Sequence, residues 1–156
     1  MCLTVLYTDE KKQEFLKDKP EWIKVYKLVH ERDENFCGIW KTEYNYEDGL
    51  NISPEPDKPE KPFIEGEDKD ASYIPYFHFF LELPTFMENV RVSLVDYANS
   101  KLIYCWIKKE NIDAVGKWGP WVSSAPSAVT AKEAIFPTFP NIELTEEELK
   151  KFGIIK

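Results

Sequence analysis

Side chains that carry chemistry are scarce in this sequence. There are two histidines, His30 and His78, and three cysteines, Cys2, Cys37 and Cys105. An odd number of widely separated cysteines does not make the disulfide framework of a small secreted domain. No Cys/His spacing matches a zinc site, so no metal is expected. There is no P-loop, no dinucleotide glycine fingerprint, no HExxH and no GxSxG, and no cofactor is expected. The start of the chain lacks a charged segment followed by an apolar run, so no secretory signal is expected. No stretch approaches the roughly 20 apolar residues that a membrane helix requires. The expected compartment is the cytoplasm.

Basic residues are also in the minority. Twenty Lys and Arg face 28 Asp and Glu, giving a formal charge of −8. A net negative chain repels phosphate backbones, so direct nucleic-acid binding is not expected. The acidic run from Glu65 to Asp70 lacks the alternating Asp/Asn ligands, central glycine and closing glutamate of a calcium loop. It reads as a solvated loop.

What is present is a globular composition. The chain has 156 residues, 43% of them hydrophobic and 15% aromatic. That is about one domain's length, and aromatics bury large areas per residue. We expect a single α+β domain over 1–156: a mixed, mostly antiparallel sheet with two or three short helices. Strands are expected at 1–7, 23–30, about 36–46, 76–83, 102–107, 112–115 and 129–136. Thr8 is placed to cap a short helix that Pro20 ends, and Thr85-Phe-Met-Glu88 and Thr145-Glu-Glu-Glu148 read as capping boxes. The segment 102–107 is apolar on both faces, which predicts a central strand covered on both sides. Tyr104 and Trp106 are accordingly assigned to the core. Four prolines between 54 and 62, amid many acids, predict a long surface loop over 48–72 inside that one domain.

His78 is the first candidate site residue. It lies mid-strand among aromatics, and histidine is the natural acid–base group near neutral pH. Glu82, four residues on along a strand, is roughly 13 Å away, so a partner must come from another element. The more ordinary reading is a half-buried histidine bonded to the backbone. The loop Trp118-Gly-Pro-Trp121 is the second candidate, because two tryptophans on a stiff loop present a preorganised binding surface. Its ordinary reading is two rings that cap the core. Tyr76 joins His78 on the same strand face as a candidate ligand contact. Cys105, within an apolar strand, reads as inert.

From Tyr76 onward, Phe77-His78-Phe79, the turn Ile112 to Gly116 and the closing strand Val129 to Glu133 follow in a recognisable order. This resembles small hypothetical proteins of bacterial, prophage and phage genomes over about residues 73–136, with Tyr76 in place of their glycine. The resemblance implies only a setting, that of an accessory protein of a phage or mobile element. The expected function is non-enzymatic binding of a host protein or small molecule. One alternative is a small hydrolase or transferase with His78 as general base. Another is an acidic mimic of nucleic acid.

Overall fold

The computed structural model describes residues 3, 5–38, 45–56, 58–62, 72–82, 100–118 and 127–156. Within them the chain is predominantly β. Nine strands join into one sheet, and every ladder among them is antiparallel. They are β1 (Val5–Leu6), β2 (Trp22–Arg32), β3 (Asn35–Cys37), β4 (Gly49–Ile52), β5 (Phe77–Phe80), β6 (Lys101–Lys108), β7 (Ile112–Lys117), β8 (Ser127–Ala131) and β9 (Glu133–Phe136). The helices among the described residues are α1 (Asp9–Leu16), α2 (Glu146–Lys151) and a short 3-10 turn at Lys109–Asn111. The sheet runs β1-β7-β8-β5-β2-β6-β9-β4, with β3 paired to β2.

Local sequence explains most of these elements. The Thr8 side chain accepts the Lys11 amide at the start of α1, with Asp9 and Glu10 in the first turn where the helix dipole favours acids. The β2–β3 hairpin turns on Asp33 and Glu34, both with positive φ, the backbone that a tight hairpin of matching twist demands. Thr145 and Glu148 form a reciprocal capping box on α2, and Gly153 follows at φ +74°. Gly116 is fixed by close approach: a Cβ there would lie 1.9 Å from the Val5 carbonyl oxygen, so only glycine lets β1 pair with β7.

Three expectations are corrected. Residues 129–136 are two strands, not one: Lys132 breaks the run, β8 pairs with β5 and β7, and β9 pairs with β6 and β4. Residues 49–52 do not belong to the proline-rich surface segment; they form the edge strand β4 against β9. The β6 strand is covered fully on one side only. Ile103, Cys105 and Ile107 are buried, whereas Leu102, Tyr104 and Trp106 are half-exposed. The helix expected from Thr85 lies outside the described residues, as do residues 39–44 between β3 and β4.

The sheet curls strongly. Phe136 of β9 lies 6.2 Å from Phe77 and 6.2 Å from Phe79 of β5, although β2 and β6 stand between those strands. Tyr46 stacks on Phe136 at 4.5 Å. Aromatic rings therefore fill the concave interior, together with Val25, Val29, Ile103, Ile107 and Val129. A second, smaller cluster lies on the convex side, where Leu3, Leu6, Tyr73, Phe80 and Ala128 meet.

Candidate functional site

His78 points to the convex side and is buried. Its Nε2 lies 3.2 Å from the Tyr73 hydroxyl, and that oxygen accepts the Leu3 amide at 2.8 Å. Donor and acceptor in the Tyr73–His78 contact are set by the imidazole tautomer, since the hydroxyl can both give and accept a hydrogen. Tyr73 is itself pinned by a reciprocal pair of backbone bonds with Glu60. The ring of His78 is thus roofed by a tyrosine from the strap that follows the proline-rich segment. Glu82 is exposed, and its position on the chain leaves it no part in this contact.

Trp118 belongs to the same convex cluster. Its ring meets Phe80 edge-on at 5.3 Å. Tyr76 is half-buried, with the Lys132 ammonium 5.6 Å from its ring centre. The structure therefore gathers His78, through Tyr73, and Trp118, through Phe80, around one cluster. Trp121 lies outside the described residues.

The concave side holds a polar group of its own. Lys27 is buried, and its Nζ donates to the carbonyl oxygen of His78 at 2.7 Å. The ammonium also lies 4.9 Å from the Phe79 ring and 5.5 Å from the Tyr46 ring. Burial lowers its pKa from 10.5 to about 8. The Cys105 thiol, also interior, is pushed well up by burial, against a smaller opposing pull from Lys27. Cys37 is raised for the same reason, countered by Arg32. Neither thiol has the electropositive, exposed setting that makes a nucleophilic thiolate. Among the described residues no group of three or more His, Cys, Asp or Glu side chains is placed to hold a metal. Nor is any described helix long and apolar enough to cross a membrane.

Among the described residues a half-exposed aromatic surface lies elsewhere. On β2 and β6 the outward positions pair as Trp22 with Lys108, Lys24 with Trp106, Tyr26 with Tyr104 and Leu28 with Leu102. The row continues from Trp106 to Ile135 of β9 and from Ile135 to Leu50 of β4. The lysines cover the rings: Lys24 lies 4.6 Å from the Tyr104 ring centre and Lys108 5.3 Å from that of Trp22. Tyr26 and Tyr104 meet edge-on at 5.2 Å. At the β4 end Leu50 is 47% exposed and Ile52 62% exposed. The Leu28/Leu102 end is covered by the convex cluster and Ile135 is buried, while Trp22, Tyr26, Tyr104 and Trp106 are half-exposed. Tyr104 and Trp106 are thus half-exposed on the outward side of their strand, not core residues. Alternation along 22–28 marks this face on β2, whereas 102–107, apolar at every position, gives no such signal on β6.

Comparison of the chain with protein-family models, curated proteins and solved structures finds no match. What the fold and surface define is a curled antiparallel sheet with a filled interior and one aromatic, lysine-bearing outer face.

Proposed function

We propose that this is a non-enzymatic binding protein that docks a protein partner on the outward face of β2, β6, β9 and β4. One observation carries the reading. In a chain of charge −8, the eight outward positions paired between β2 and β6 hold four aromatics, two lysines and two leucines, and no carboxylate. Tryptophan and tyrosine dominate the energetically important part of protein interfaces. The partner that fits presents carboxylates opposite Lys24 and Lys108, between apolar side chains. Lys24 and Lys108 now meet Glu143 at 3.3 Å and Glu110 at 4.0 Å, exposed pairs that exchange readily for a partner's acids. A protein partner is favoured over a small ligand because rings of the chain itself fill the concave interior. Within that reading the chain acts inside the cell, as an accessory protein of a phage or mobile element. General-base catalysis by His78 is disfavoured by the roof that Tyr73 makes over its ring.

The test is affinity capture with the wild-type chain and with Lys24→Glu/Lys108→Glu, followed by identification and binding of the purified partner. The expected outcome is at least a tenfold weaker complex for the double variant, with the wild-type complex weakening as salt rises. Equal binding by both chains, or no partner at all, overturns the reading.

A further inference from the structure

Two joins in the eight-strand path are thin, β2–β5 and β6–β9, each registered by a single residue pair, and the first of them is bridged by a buried side chain. β2 pairs with β6 over eight residue pairs from Trp22↔Lys108 to Val29↔Lys101, and β5 pairs with β8 along its whole length. Between them, β2 and β5 share a single pair, Tyr26↔Phe80. Beyond that pair the two strands diverge. The Lys27 side chain reaches across the gap, and its Nζ takes the carbonyl of His78, a residue of β5. A buried side chain thus supplies the hydrogen bond that a backbone amide supplies elsewhere in the sheet.

We propose that the β2–β5 seam opens as a unit of its own, separating the β1-β7-β8-β5 block from the β2-β6-β9-β4 block, with the Lys27 amine as its latch.

The chemistry around the latch makes it sensitive to pH. Among the described residues, the His78 carbonyl is the one hydrogen-bond acceptor of Nζ, and no carboxylate forms an ion pair with it. Its titratable neighbours are Cys105 of β6 and Tyr46, with the His78 ring turned to the opposite face. A charged amine in that setting lacks the hydration it regains when the seam opens. Its pKa is about 8 when closed against 10.5 in water. Opening therefore becomes about tenfold rarer between pH 7 and pH 9, as the closed form sheds its proton. The Cys105 thiol acts the other way, by no more than about twofold at pH 9.

The experiment is residue-resolved amide exchange on the whole chain at pH 7 and pH 9, expressed as protection factors so that the intrinsic pH dependence cancels. Seam-facing amides of β5 are expected to exchange through an opening more frequent than global unfolding, which denaturant titration measures in parallel. Their protection is expected to rise about tenfold from pH 7 to pH 9, and that rise is expected to vanish in Lys27→Met. Two results overturn the proposal: β5 exchange that equals global unfolding, or protection that does not change with pH in the wild type. Should Lys27→Met fail to fold, the wild-type comparison alone decides.

Discussion

Lys27 is a residue whose chemical type and place in the strand pattern conflict. In the sequence it interrupts an otherwise apolar strand face of Ile23, Val25 and Val29. Alternation alone would have placed it inside, and burial is what the structure shows. The desolvation that lowers its pKa is a stability statement. Below about pH 8 the folded protein carries an unfavourable buried charge, whereas the unfolded chain keeps its lysine charged up to about 10.5. Between those values the unfolded state binds more protons, so stability rises with pH through that window. We expect the stability of the wild type relative to Lys27→Met to grow by about 2 kcal/mol from pH 7 to pH 10, measured by urea titration. A constant difference would refute it. His78 was legible as a residue of interest, but its roof was not. Tyr73 comes from a strap whose docking depends on Glu60 and Leu3, contacts that no local pattern announces.

Among the elements, the ones fixed by their own residues were the readable ones. The caps of α1 and α2, the alternation of β2 and β5 and the start of β7 all follow from side chains a few positions apart. Helix α2 offers a direct check. Partial burial raises the Glu148 carboxyl, but hydrogen bonds from the Thr145 backbone and from the Thr138 and Thr145 hydroxyls outweigh it, and the pKa is lowered overall. That contribution is present above the usual carboxylate range and is lost as pH falls through the lowered value. Thr145→Ala is therefore expected to cost about 1 kcal/mol at pH 7 and clearly less at pH 3, read by urea titration at both. The division between β8 and β9 was not readable, because Lys132 carries no turn signature. It marks the point where the chain leaves one side of the sheet for the other, and its amide bonds to Asn111 while its carbonyl takes the Ser53 amide. β4 was hidden likewise: Gly-Leu-Asn-Ile is a weak strand sequence, made a strand by β9 and by the Asn51 side chain tying down Glu47.

Taken together, a mostly antiparallel sheet with few helices was visible from alternation, although the described residues are more heavily β than an α+β reading implied, and the exposure of the outward side of β6 was not visible. Tyr104 and Trp106 looked like core because their strand is apolar on both sides; whether a second layer covers them is a property of the assembled sheet. That assembly joins distant parts of the chain. Val29 meets Lys101, Gly49 meets Phe136, and Val5 meets Lys117. Every such closure costs chain entropy before any contact rewards it. On a growing chain β1 therefore waits for residues up to Lys117 and β4 for residues up to Phe136, so the two ends of the strand path are laid down long after their first strands have been made. Stopped-flow refolding is expected on a timescale of roughly milliseconds to seconds; recovery within microseconds would contradict that order of events.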